Sequence, residues 1–476
     1  MFRKWPGPCL IKDVEIVGFD YGILAAHPQY SITFEHVALS GQRIAGIRND
    51  GNVLGIRDLT SSNSVPAILN TGSQGLIVLL DSALNGGSSA VSAIENDAGE
   101  LFARNVVTTG YQSAVRDLGV VVPGAKISEL VTAPVQSLFP SPNRSLGLPV
   151  EETPELPHVS LADSVNVVDF GAVPNDSTRD SLPAFQAAID SGALTVYAPP
   201  GGKYLFSDTL IVRGNVRRFD WMGCWYGVTL VNNFDGVKPL IRVESLLQPE
   251  VIIERIPGSW NVGASTVPGT PIEHASPSAL VIRDGGGDCR NVPGSGPIFL
   301  ENVGTAFPLT FQGINVWGRQ VNPENAHFLV ESYIQNIGSN LWLLGLKTEH
   351  PNTAIDTTAG GKTELLGGFI FPVGTVPATL PAFINDESSH SLVYVTNAYG
   401  GNDHQVQVRE TRDRETRELL KERLPRRGGG AMVPLYTGYR EGRNGPRSRS
   451  LLGLGLLVGG GIALGVLVRA LGSKKR

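Results

Sequence analysis

The feature that most limits how this chain can fold is a repeat in its first third. A polar pair followed by a small or aliphatic residue recurs at Lys12-Asp13-Val14, Glu35-His36-Val37, Arg57-Asp58-Leu59, Asp81-Ser82-Ala83 and Arg104-Asn105-Val106, at intervals of 23, 22, 24 and 23 residues. Ile11, Phe34, Ile56, Leu80 and Ala103 precede these pairs. Both flanking columns are therefore apolar in every repeat. Short apolar strands at this period, with no helical pattern between them, predict a solenoid of β-coils in which each coil buries its apolar side chains only by stacking on its neighbours. The leading residues Lys12, Glu35, Arg57, Asp81 and Arg104 alternate in sign. Stacked strands lie about 4.8 Å apart, where opposite charges gain roughly 0.2–1 kcal/mol per pair and like charges lose it. Leucine-rich repeats share the period, but their Leu/Asn signature is missing. Asn49-Asp50-Gly51-Asn52 and Asn85-Gly86-Gly87-Ser88 supply the turns between strands.

Composition agrees. Among 476 residues there are 57 Gly and 32 Pro, which favours many short elements joined by turns. With 17% charged residues and a net charge of −5 there is no basic footprint for nucleic acid. Cys9, Cys224 and Cys289 form no CxxC, and the eight histidines form no HxxxH or HExxH. Neither a metal site nor a cofactor is expected. The chain divides into a first solenoid module (1–121), a proline-rich linker (122–164), a second module (165–405), a charged tail or stalk (406–449), an apolar segment (450–471) and a basic terminus (472–476). Leu451 to Val468 is apolar or Gly throughout and lies between basic clusters, so it predicts a C-terminal transmembrane helix, a membrane partner and an anchored ectodomain. No signal peptide is visible at the start. The first coils arrive with nothing to cover their open end, and from this we expect a truncated N-terminus.

The second module carries a family resemblance. Asn166-Val167-Val168-Asp169-Phe170-Gly171-Ala172-Val173, Asn175-Asp176-Ser177, Asp180 to Asp190, and Val196-Tyr197-Ala198-Pro199-Pro200-Gly201-Gly202-Lys203-Tyr204-Leu205 resemble, in order and spacing, the opening of pectate-lyase-superfamily β-helices of the rhamnogalacturonase/epimerase-like type. Ser181 is the expected N-cap of a short helix with Pro183 in its first turn, and Leu182, Phe185, Ala188 and Ile189 form one apolar stripe that can cover a solenoid end. Two tandem β-helices resemble the arrangement in β-1,3-glucanases of glycoside hydrolase family 55 and in family-28-related proteins. The fold class expected is all-β: a right-handed single-stranded parallel β-helix in two tandem modules, plus the transmembrane helix. The hand comes from the resemblance.

The same resemblance implies a polysaccharide partner. A glycosidase needs two carboxyl groups about 5–5.5 Å apart for retention or about 6.5–9.5 Å for inversion. On a β-helix these come from adjacent coils at one column, or from one coil two residues apart. Asp284, Asp288, Glu301 and Glu349 are the catalytic candidates; each also has a structural reading, as a turn former or as a ladder partner of Arg283 or Lys347. Trp221, Trp225 and Arg319 are the candidates for holding substrate. The Asn-Thr-Asp, Asp-Asp, Gly-His-Gly and Arg-Ile-Lys elements of family 28 polygalacturonases are absent, and no aspartate cluster accompanies Arg290 or Arg319 as calcium pectate lyases require. The sequence therefore supports a carbohydrate-active β-helix protein acting on a polysaccharide by hydrolysis or a related reaction. The alternative is a non-catalytic glycan-binding or structural β-helix.

Overall fold

A computed structural model describes residues 7–26, 30–157, 159–176, 178–222, 228–230, 238–256, 272–324 and 332–441. In the first solenoid, the strands Cys9–Val17, Ser31–Ser40, Val53–Ser62, Leu76–Asn85 and Glu100–Thr108 stack in parallel. A second sheet stacks Tyr21–Ala25, Ala45–Asn49, Ile68–Asn70, Ile94–Asn96 and Val115–Asp117 alongside. Ile11, Phe34, Ile56, Leu79 and Ala103 share one register. The charged column runs Lys12, Glu35, Arg57, Leu80, Arg104, so the expected alternation breaks at the fourth coil. The reason is backbone conformation. Asp13, His36, Asp58, Asp81 and Asn105 all have positive φ near 50–60°. Asp, Asn and His tolerate that left-handed bend best among residues with a side chain, so Asp81 belongs to the bend column and shifts its neighbours by one. A second column, inside the tube, is a ladder of side-chain amides: Asn49 donates to Asn70, Asn70 to Asn96, and Asn96 to Asp117.

The second solenoid opens with the helix Leu182–Asp190, which buries Ala184, Phe185, Ala188 and Ile189. The Phe185 ring meets Tyr204, Phe206 and Trp221 at 4.9, 4.8 and 5.5 Å. Ser181 makes no side-chain cap; its hydroxyl accepts from the Val173 amide, and Asp180 accepts from the Leu182 amide instead. Parallel strands then follow from Thr195–Tyr197 through Ala279–Gly286, Ile298–Thr305, Asn315–Pro323, Asn340–Glu349 and Lys362–Phe371 to Ser389–Thr396, with a second sheet running from Leu210–Gly214 to Val406–Arg412. The mixed-sign stretch Arg409 to Arg427 passes through strands of this sheet: Val406–Arg412 pairs antiparallel with Glu415–Leu420. Both solenoids thus close on antiparallel strands, the first with Lys126–Val131 and the second also with Gly430–Gly438, which removes a parallel edge open to further pairing. The architecture is a right-handed parallel β-helix.

One part of the expected fold class is corrected. No helix among the described residues is long and apolar enough to cross a membrane. Residues 450–471 lie outside the described residues.

The outer faces of the two long-strand stacks pack on each other. Val53, Leu76, Val78, Leu80 and Phe102 meet Val281, Phe299, Trp317, Trp342, Leu344, Leu366 and Phe369. Gly345 sits at the closest crossing with φ +80°, where a Cβ would fall 2.0 Å from Thr33 Oγ1. Through this apolar seam runs a line of buried charges. Glu35 accepts from Arg57 (2.5 Å) and from Arg319 (2.7 Å), and both Glu35 and Arg319 are wholly buried. Glu364 accepts from Arg104 (2.8 Å) and from the amides of Gly147 and Leu148. The linker is the third layer. Glu152 binds Arg57, Glu155 binds Arg283 at 2.8 Å, Thr153 donates to Glu301, and the Trp317 indole donates to the Pro149 carbonyl.

Two outcomes follow from this seam. Glu35→Gln leaves two guanidinium groups, one of them fully buried, short of a carboxylate, and should lower unfolding free energy by about 3–5 kcal/mol in a denaturant titration; an unchanged midpoint would contradict the seam. Burial pushes the Glu152 and Glu155 carboxyls upward, but hydrogen bonds and charge from Arg57 and Arg283 outweigh it and hold both below 4.5. Groups depressed in this way contribute stability above their ordinary value that is lost as pH falls through the folded one. Cleavage of the linker by an acid-active protease should therefore accelerate as pH falls below the ordinary carboxylate range, and a pH-independent rate would refute the assignment.

Candidate functional site

The sequence candidates separate cleanly in space. Asp284 is exposed in the bend column and accepts from Asn302 at 2.9 Å. Asp288 is buried and accepts from the Ala306 and Phe307 amides, both at 2.8 Å, so it shapes a turn. Glu301 is sealed in the seam between Thr153 (2.5 Å) and Lys12 (3.2 Å). Arg319 is equally sealed, donating to Glu35 and to the Glu151 carbonyl and lying 5.4 Å from the Trp342 ring centroid. Trp221 is buried against Phe185 in the cap, where no sugar can stack on it. Trp225 lies outside the described residues.

Glu349 is different. It ends the strand Asn340–Glu349, and the preceding coil places Glu324 beside it in parallel register. Lys347 Nζ donates to both carboxylates. The ammonium is nearly buried, whereas the Glu324 and Glu349 side chains are 20% and 31% exposed. Two acids from adjacent coils thus share one column and open to solvent. Both carboxylates reach the same nitrogen, so one oxygen of each lies close to one of the other, an arrangement nearer a retaining pair, at roughly 5–5.5 Å, than an inverting one, at roughly 6.5–9.5 Å.

The surroundings extend this column. In the following coil Phe371 is in register with Glu349. Its ring faces Tyr399 at 6.4 Å between centroids, and Tyr399 is 68% exposed. Tyr333 donates its hydroxyl to the Glu349 carbonyl and so fixes the end of the strand that presents the acid. From the first solenoid, Tyr30 reaches the same place: burial, with the nearby Glu349 charge, pushes its phenol above the usual range. One residue of the first solenoid thus lies within electrostatic reach of the pair. Glu324, Lys347, Phe371 and Tyr399 were not singled out as site residues from sequence. The cue that was available is the 25-residue interval from Glu324 to Glu349, close to one coil.

Among the described residues one cluster could offer a metal its ligands. Glu35, His36 and Glu152 bring potential ligand atoms within 4.8 Å of one another. Arg57 and Arg319 already take the oxygens of Glu35, so a cation would have to displace two guanidinium groups.

Comparison with known proteins adds the following. No family model matches the chain. No curated protein matches it either. Among solved structures, that of sacteLam55A from Streptomyces sp. SirexAA-E is similar over 83% of this chain and 92% of its own, at 12% identity and a TM-score of 0.28.

Proposed function

We propose that this protein hydrolyses a polysaccharide, with Glu349 and Glu324 as the carboxyl pair and Tyr399, backed by Phe371, as the face against which a sugar ring stacks. The observation that carries the reading is the pair itself: two solvent-reaching carboxylates from adjacent coils, held on one shared Lys347 ammonium, a closeness that suits double displacement better than inversion. In that reaction one carboxyl protonates the glycosidic oxygen as the bond to the anomeric carbon breaks. The other attacks that carbon from the opposite face, and water then releases the sugar with the first group acting as base. Lys347 fixes the two side chains, and its charge offsets one of the two negative charges brought together. An exposed aromatic, Tyr399, two coils beyond Glu349 with Phe371 between them supports a substrate lying along the solenoid axis. The resemblance of the second module's opening to polysaccharide-acting β-helices points the same way.

The test is reducing-sugar release across a panel of neutral and acidic polysaccharides. Glu349→Gln and Glu324→Gln should each lower kcat by about 100-fold or more. Tyr399→Ala should mainly raise KM, by about 5- to 10-fold. If the unaltered protein cuts nothing in the panel, or if both glutamine variants keep its rate, the hydrolytic assignment fails and a non-catalytic glycan-binding role takes its place.

A further inference from the structure

A second feature of the surface lies at the opposite ends of the same strands. Where Asn315–Pro323 and Asn340–Glu349 begin, the turns of three successive coils line a cleft of about 290 Å³ together with one linker residue. Its floor is backbone: Gly296, Gly313 and Gly338 recur at the turn, and the latter two have φ of +65° and +67°. A Cβ on Gly313 would meet nothing within 4 Å, so the bare turn leaves room above it. Asn315 and Asn340 are in register across two coils, and Asn340 Nδ2 donates to Asn315 Oδ1 at 2.9 Å. That bond orders both amides, and both residues line the cleft, where an amide pair offers a donor and an acceptor. Trp317 forms a wall, held by its indole bond to Pro149. Glu151 is exposed at the opposite side, and its backbone is tied down by the Arg319 guanidinium at 2.7 Å. The cleft is thus preformed by the seam, at the lower end of the size range of ligand sites, about 300–1,000 Å³.

We propose that this cleft binds a neutral hexose unit of a glycan chain, apart from the carboxylate pair. Neighbouring sugar hydroxyls each donate and accept, which is what a paired amide ladder, backbone carbonyls and one carboxylate offer. Three coils cover about 10 Å along the axis, so an extended ligand is followed coil by coil. Among the described residues Glu151 is the only charged group lining the cleft, and it sets the specificity: it accepts from a hydroxyl of a neutral sugar and repels the carboxylate of a uronic acid. The inference rests on the carbohydrate reading above but not on hydrolysis.

Binding is therefore measured by calorimetry on the full chain carrying Glu349→Gln, which silences the proposed chemistry, with cellohexaose, laminarihexaose, maltohexaose and hexagalacturonate as probes. At least one neutral hexaose should bind and hexagalacturonate should not. Adding Asn315→Leu and Asn340→Leu should weaken the neutral ligand by roughly tenfold, the loss of two hydrogen bonds, while thermal unfolding stays unchanged because both side chains are exposed. Glu151→Gln should reduce the discrimination against hexagalacturonate. Equal affinity with and without the leucine changes, equal affinity for neutral and acidic probes, or binding of no neutral hexaose would each overturn the cleft assignment. Cleft-dependent binding together with an unaltered protein that cuts nothing would instead overturn the hydrolytic reading and leave the cleft standing.

Discussion

The rest of this structure depends on a line of charges buried between two stacked tubes. Glu35 has no solvent exposure and sits between Arg57 of its own solenoid and Arg319 of the other, while Arg104 and Glu364 repeat the arrangement further along. Desolvating such groups costs several kcal/mol each, and apolar residues of similar volume often serve as well or better for stability. What apolar residues cannot do is fix a position along the axis. The outer face of a β-helix repeats every coil, about 4.8 Å, so two purely apolar faces would pack almost equally well after sliding by one coil. With charges present, a one-coil slide of the first solenoid brings Arg57 or Lys12 toward Arg319 in place of Glu35, leaving buried like charges without a partner. The seam thus excludes every register but one.

That single register is what assembles the site. Thr33 donates to Gln320, a contact allowed by the missing side chain at Gly345. With the strand Ser31–Ser40 held there, Tyr30 at its start arrives beside Glu349 at the end of a strand in the other solenoid. The linker acts in the same way on the other side. Arg319, already paired with Glu35, takes the Glu151 carbonyl, and the Glu151 side chain is thereby set on the rim of the amide-lined cleft. One buried guanidinium therefore connects the packing of the tubes to the layout of the surface.

The tubular fold was legible because it is written as periodicity: Ile11, Phe34 and Ile56 do share a column. Leu80 does not, because the left-handed bend takes Asp81, and nothing in the pair Asp81-Ser82 says which of the two residues will bend. The charges were legible as a pattern but not as a seam. Lys12, Glu35 and Arg57 do stack on one another, yet the partners that bury them, Glu301 and Arg319, lie in a different solenoid, and no local pattern signals a contact over such a separation. The same gap explains the site residues. Glu301 and Arg319 looked like candidates because they are polar groups at strand positions, and the seam consumes them. Trp221 was a candidate for holding substrate, and the Phe185 and Phe219 rings bury it in the cap. Glu324 and Tyr399 carry no motif; only the stacking of coils brings Glu324 beside Glu349 and Tyr399 against Phe371.

The column geometry also limits what chemistry this surface can support. Carboxyls contributed by successive coils at one position are spaced by the strand stacking, about 4.8 Å, and that falls at the separation of a nucleophile and an acid acting in double displacement. Admitting a water between two acids requires a wider gap, across two coils or across the tube. Glu324 and Glu349 are consecutive, and Phe371 follows them at the same position in the next coil. In a parallel β-helix, reaction type is therefore partly a matter of which coils supply the acids. Two adjacent coils favour the covalent route. A third, carrying an apolar ring in place of another carboxylate, favours a sugar face over a metal ion as the neighbouring ligand.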